Sequence, residues 1–214
     1  MEKQTYEMFV RLVTRLVVEE LRKMERSVPI GVSNRHIHLD RADMDILFGR
    51  DSELTFKKEL GQPGQYACEE MVTLHGPKGE LGRVRVLGPL RSESQVEISV
   101  TDGFALGVRP PIRESGKLAG TPGVTIKGPK GTIEKDTGTI AALRHIHLPP
   151  EDAQRMGVRD KQLVKVEIRG PRGGIFHNVL IRVSEQFAPE MHIDVDEANA
   201  FGVKNGDRAY IIVD

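Results

Sequence analysis

The 214-residue chain predicts a mainly β protein: two pseudo-symmetric β-barrel domains with short capping helices, preceded by an N-terminal amphipathic helix. Three observations predict this. From Met71 onward, short apolar segments are separated by glycine turns, a strand density that suits barrels or sandwiches. The run Arg35-His36-Ile37-His38-Leu39 recurs as Arg144-His145-Ile146-His147-Leu148. The likeness also continues downstream: His75–Gly79 aligns with Arg169–Gly173, Gln95–Val100 with Glu190–Val195, and Phe104–Val108 with Asn199–Val203. Two related halves about a pseudo-twofold axis is the economical reading. The copies lie further apart at the histidines than downstream, so the first half carries an insertion, which residues 49–67 account for.

In order, residues 2–26 read as one helix. Phe9, Leu12, Val13, Leu16, Val17 and Leu21 recur at three- and four-residue spacing, and Glu19 and Lys23 form an i,i+4 pair. Amphipathicity alone favours packing on its own domain or a second subunit over a detachable helix that binds a partner. Ser27–Ser33 reads as a strand leading into the first His-x-His. Arg41–Phe48 reads as a helix with Asp40 as N-cap, and 49–67 as a long loop. MVTLHG, GRVRVLG and SQVEISV read as strands, 103–123 as a connection, and VTIKGPKGTIE as a hairpin. After the second His-x-His, Pro150 opens a helix through Met156. LVKVEIRG, FHNVLIRVS, MHIDVD and RAYIIVD follow as strands, with a helical turn over Glu197–Phe201. The expected units are residues 1–27, 28–142 and 143–214.

Composition excludes several classes. Thirty-one basic residues balance 31 acidic ones, so there is no electrostatic footprint for nucleic acid. No run of 18 apolar residues predicts a membrane span, and the charged N-terminus lacks a signal-peptide core. The single cysteine, Cys68, fits a reducing compartment and reads as a small buried hydrophobe.

The histidine pairs carry the chemistry. On a strand, residues i and i+2 share a face, so each pair turns two imidazoles to one side. Neutral imidazole suits zinc. The repeat adds a third ligand to each half, because Glu97 aligns with His192. Without the repeat, Glu97 would read as a solvated strand carboxylate. The trios are His36, His38, Glu97 and His145, His147, His192. Three protein ligands with one position open mark catalytic rather than structural zinc. Arg91 aligns with Gln186, so the repeat does not explain it. It reads either as a surface arginine or as a bidentate phosphate ligand. His75 and His177, beside turns, read as surface residues.

The stretches NRHIHL, VLGPLRSESQVEIS, RHIHLPPEDA and MHIDVDEANAFG resemble the phosphate propanoyltransferase (PduL-type phosphotransacylase) family, a likeness running from about Val28 to Val213. The resemblance implies reversible conversion of a short-chain acyl-CoA (propanoyl-CoA or acetyl-CoA) and phosphate to acyl-phosphate and CoA. It implies two zinc ions per chain on the six residues above, with Arg91 on the phosphate. Ser33, Lys58, Arg85 and Asn199 stand where a CoA pocket would place polar contacts. The family fold implies that the strand near 28–34 joins the other barrel. Direct attack of phosphate on the thioester needs no protein nucleophile, so an inert Cys68 is no objection. A homodimer is expected, in the cytoplasm or inside a bacterial microcompartment. The resemblance also turns the first helix into a tail for shell or lumen proteins. No nucleic acid or membrane partner is expected. The rival is a non-catalytic, microcompartment-associated metal-binding scaffold. A cupin places its Glu only a few residues after the His pair, and an amidohydrolase needs a TIM barrel of roughly 250 residues.

Overall fold

The computed structural model describes residues 2–213, apart from the side chains of 2–4, 22 and 23. The chain begins with α1 (Glu2–Glu25), β1 (Ser27–Ser33), β2 (His36–His38) and α2 (Arg41–Phe48). It continues through β3 (Phe56–Glu59), β4 (Tyr66–His75), β5 (Glu80–Gly88), β6 (Gln95–Glu97) and α3 (Val100–Leu106). Then come β7 (Ile112–Arg113), β8 (Thr125–Lys127), β9 (Thr132–Glu134) and β10 (Thr139–Ala142). The second copy of the motif opens β11 (His145–Leu148), followed by α4 (Pro150–Met156), β12 (Leu163–Ile168) and β13 (Gly174–Val183). The chain closes with β14 (Glu190–Asp194), α5 (Val195–Phe201) and β15 (Arg208–Ile212).

The short helices start and stop on local signals. The Asp40 side chain accepts from the Asp43 N–H at the head of α2. Ser99 with Asp102, and Asp194 with Glu197, form capping boxes on α3 and α5. Pro150 opens α4. Gly107, Gly157 and Gly202 end α3, α4 and α5 in the left-handed region.

The fold is mainly β, as the strand density predicts. Strands β1, β14, β11, β13, β12 and β15 close a six-stranded barrel. The other half is a nine-stranded sheet, β7-β10-β6-β2-β5-β4-β8-β9 with β3 beside β4, which curls without closing. Strand β1, first in the chain, lies in the closed barrel, parallel to β14 and antiparallel to β15. Each half has its own core. Val28, Ile30, Ile146, Val166, Ile181 and Met191 fill the barrel; Ile37, Leu47, Leu74, Val86, Val96 and Ile126 fill the sheet. Burying one such side chain contributes roughly 1.5–3 kcal/mol. Alternation along β2 and β11 sends Ile37 and Ile146 into these cores and leaves the histidines on the opposite face.

Several boundaries differ from the sequence reading. The 49–67 loop contains β3, antiparallel to a β4 that starts at Tyr66. All four β3 residues are exposed, so no apolar alternation announces the strand. The SQVEISV strand stops at Glu97, because Ser99 caps α3 there; that helix then occupies the start of the stretch read as a connection. β10 and β7 pair as the parallel edge of the sheet. The VTIKGPKGTIE hairpin is β8–β9.

The apolar stripe of α1 is uncovered. Phe9, Leu12, Leu16, Val17 and Leu21 are each more than half exposed. The helix is tethered at its end, where Arg155 donates to the Glu25 carbonyl (2.7 Å) and Arg169 pairs with Glu20 (3.3 Å). The Glu19–Lys23 pair lies outside the described side chains. Among the described residues, no helix is long and apolar enough to cross a membrane.

Candidate active site

Strand pairing builds two equivalent trios. β2 runs antiparallel to β6 with His36 opposite Glu97, and β11 runs antiparallel to β14 with His145 opposite His192. Directly opposed residues share a face, so the third member joins the histidine pair of its own half. The donor atoms within each trio, His36, His38, Glu97 and His145, His147, His192, lie within 4.8 Å of one another. Both trios line one cavity of about 370 Å³, together with Arg91.

Each trio is held by the same contacts. His36 Nδ1 lies 2.8 Å from the Asn34 carbonyl and His145 Nδ1 2.8 Å from the Leu143 carbonyl. A carbonyl can only accept, so Nδ1 carries the proton and Nε2 is left with a lone pair. The arginine of each repeat reaches the acid of the following capping box. Arg35 pairs with Asp102 (3.0 Å) and Arg144 with Glu197 (2.9 Å). This accounts for the arginine in both copies of the motif: it ties the histidine strand to the next helix.

Burial and mutual proximity tune the groups. Burial, then His192, pulls His145 down to about 4; burial, then His145 and His192, pulls His147 down to about 2. Burial and His36 hold His38 well below the ordinary histidine value. Burial disfavours charge on His36, but the nearby Glu97 carboxylate more than offsets it and raises the group. Burial would lift Glu97, yet His36 and its other neighbours hold it well below the usual carboxylate range. Neutral imidazoles and one carboxylate are the forms that bind a divalent cation.

The fit to a metal rests on unpaired atoms. His38 Nδ1, both ring nitrogens of His147, and His192 Nε2 are buried without a hydrogen-bond partner. His192 Nε2 lies 3.1 Å from Glu190 Oε2 but without hydrogen-bond geometry. Buried orphans of this kind need a partner, and nitrogen and carboxylate donors without cysteine suit zinc or a similar ion in an open site.

The other expected contacts divide. Ser33 lines this cavity and an adjoining one of about 590 Å³, which Lys58 and Arg85 also line. His36 and His192 border both spaces. The Arg85 guanidinium donates to the Cys68 carbonyl. Asn199 is exposed on α5 and lines neither cavity. Cys68 is buried, and burial followed by Glu70 pushes its thiol up to about 11, so it is no thiolate nucleophile at neutral pH. His177 is exposed, and His75 pairs with Glu80 at 3.3 Å.

Some residues that support the trios or line the cavity carry no clear mark in the sequence. Gln95 donates to Glu97 and, at 2.8 Å, to Ser115; Ser115 also receives Arg91 Nη1 at 3.1 Å. Glu190, the repeat equivalent of Gln95, accepts from Gln62 at 3.1 Å. A Cβ at Gly61 would meet this carboxylate, so a larger residue there requires the Glu190 side chain to shift. Both residues lie two positions before the third trio member, a strand period that could have marked them. Arg182, beside His147 across the β11–β13 pair, also lines the cavity. Nothing in its local sequence signals this.

Comparison with known proteins points to one family. A family model described as phosphate propanoyltransferase matches residues 29–204. A phosphate propanoyltransferase of Rhodobacter capsulatus is 62% identical over 178 residues, 83% of each chain. One of Thermotoga maritima is 57% identical over 196 residues, 91% of this chain and 93% of its own. One of Salmonella typhimurium is 53% identical over 192 residues, 89% and 90% respectively.

Proposed function

The chain belongs to the phosphate propanoyltransferase family and is an acyltransferase, and from that premise we propose that it interconverts propanoyl-CoA plus phosphate with propanoyl phosphate plus CoA at a site for two divalent ions, zinc by ligand type. Acetyl-CoA is the alternative donor. The observation that carries the reading is the convergence of two equivalent trios with unpaired nitrogens on one cavity that Arg91 also lines. His36, His38 and Glu97 would hold one ion; His145, His147 and His192 would hold the other. Bound there, divalent ions supply Lewis acidity, neutralising phosphate charge and polarising the thioester carbonyl.

The chain's own groups do the positioning. Arg91, tied to Ser115 through one Nη, has further N–H donors to turn on phosphate oxygens. A phosphate oxygen attacks the thioester carbonyl carbon and forms a C–O bond. The tetrahedral oxyanion collapses, the C–S bond breaks, and the electron pair leaves with the CoA thiolate. In reverse, the thiolate attacks propanoyl phosphate and phosphate departs. Ser33, Lys58 and Arg85, around the adjoining cavity, would contact CoA, with Asn199 as the outlying fourth contact. The proposed division is a tail, 1–27, and two units, 28–142 and 143–214, each carrying one trio, with the first strand of 28–142 joining the barrel of the other unit. The proposed assembly is a homodimer in the cytoplasm, or in a microcompartment whose shell or lumen protein receives α1.

The test is thiol release from propanoyl-CoA, with and without phosphate, beside the metal content of the purified chain. Phosphate-dependent release with close to two ions per chain supports the enzyme. Metal without release leaves the non-catalytic scaffold.

The uncovered stripe of α1 makes a further prediction. Deleting residues 1–24 is expected to leave a soluble, metal-replete chain with turnover within about twofold, while oligomer size or encapsulation changes. Were the stripe part of the core, each lost side chain would cost roughly 1.5–3 kcal/mol against a total of about 5–15. An insoluble truncation would sink the tail reading.

A further inference from the structure

We propose that Arg182 is a second anion-holding residue of the cavity, gripping the phosphate substrate together with Arg91. The inference rests on the acyl-phosphate reading above and adds a residue to it. Arg182 lies on β13 in register with His147, so it shares the face of the second trio and lines the same cavity. Arg91 is not its repeat equivalent, since the registers put Leu87 in that place, but it reaches the first trio from the next loop: its N–H donates to the Leu39 carbonyl at 2.8 Å, just past the histidines of β2. Each trio therefore has one guanidinium beside it.

The donors of Arg182 are free to bind. Among the described residues its ion pair is with Glu114, at 3.8 Å from Nε, too long for a hydrogen bond. The side chain is steadied instead by Phe187, whose ring centroid lies 5.6 Å from the guanidinium carbon and which itself stacks on His147 at 4.0 Å. Glu114 is also shared with Lys117 and Lys161, so one carboxylate answers three cations. Both lysines are mostly in solvent, whereas the Arg182 side chain is one quarter exposed. Positive charge is therefore left over at the cavity wall. Arg35, which lines the cavity too, has one Nη held by Asp102 at 3.0 Å, while its Nε is buried without a partner.

Adjacent residues serve the two guanidiniums: Glu114 faces Arg182, and Ser115 accepts from Arg91. The two charges sense each other. Burial lowers Arg91, Glu97 partly restores it, and Arg182 lowers it again. Two like charges at one partly dry cavity are unfavourable by themselves, and an anion carrying two charges between them removes the conflict. Inorganic phosphate has that charge and offers oxygens to both forks.

The experiment uses the full-length, metal-loaded chain, with phosphate varied at saturating propanoyl-CoA. Arg182→Gln is expected to raise the phosphate KM roughly 10–100-fold, the range for losing a hydrogen bond to a charged group. The propanoyl-CoA KM and the metal content are expected to stay within about twofold. Arg182→Lys, which keeps the charge but loses the fork, is expected to fall between the two. Inhibition by sulfate, a non-reacting mimic, is expected to weaken in parallel. If Arg182→Gln loses metal or fails to fold, Arg182→Lys decides: a wild-type phosphate KM in it overturns the inference. A rise in propanoyl-CoA KM alone overturns it too, because Arg182 would then face CoA. A wild-type chain with no phosphate-dependent thiol release overturns the underlying reading instead. Wild-type turnover with unchanged phosphate KM in both variants overturns this inference alone.

Discussion

Exchange of His145 for alanine is expected to remove about one divalent ion per chain and at least ~10²-fold of turnover, since even loss of a supporting contact to a metal ligand typically costs 10–100-fold. His145 opposes His192 across the β11–β14 ladder and has its Nδ1 fixed by the Leu143 carbonyl. Without it, His147 and His192 remain as two donors where catalytic zinc takes three. The protein itself should survive. The side chain faces the cavity, and Ile146, which packs the barrel core, is untouched. Elemental analysis and thiol release on the same preparation check both halves of the expectation. His177→Ala, on the exposed face of β13, serves as the control and should change neither. Full metal content and wild-type turnover in His145→Ala would remove the second metal site.

Arg91→Ala is expected to lower kcat/KM for phosphate by ~10²–10³, the range for deleting one preorganised charge-stabilising donor. The propanoyl-CoA KM should barely move. The Arg91 backbone is pinned to Leu39, and one guanidinium nitrogen is spent on Ser115. The remaining donors are therefore presented in a set direction, which a lysine's single ammonium does not reproduce. Arg91→Lys should recover only part of the loss. If phosphate kinetics are unchanged in the alanine variant, Arg91 is a wall of the cavity that braces Ser115.

The repeated His-x-His told most about the site because two independent periodicities meet in it. Strand alternation put both imidazoles of a pair on one face, and the internal duplication paired Glu97 with His192. The structure sets these six residues in two trios on one cavity; their role as ligands belongs to the proposal. Gln95, Ser115, Glu190 and Arg182 were less legible. Gln95 and Glu190 share the strand period of their neighbours, but polar residues on a strand face are usually solvated. Ser115 sits in a loop, and Arg182 differs in no local way from any strand arginine.

By itself the sequence determined the class of the fold, the histidine strands, the Asp40 cap and the Pro150 helix start, and the duplication. All of these are local or periodic properties, legible wherever the same residue types recur at the same spacing. Only the tertiary structure decided how the halves differ. β1 closes the barrel between β14 and β15, while the sheet around β2 stays open. Strand pairing depends on backbone hydrogen bonds between residues far apart in the chain, and neither partner's sequence carries a mark of the other. The same holds for β3, whose exposed residues have no alternation to read, and for Glu114 and Ser115, a short loop that touches both cavity arginines. Residues of both halves meet around one cavity, a relation that exists only once both halves are formed.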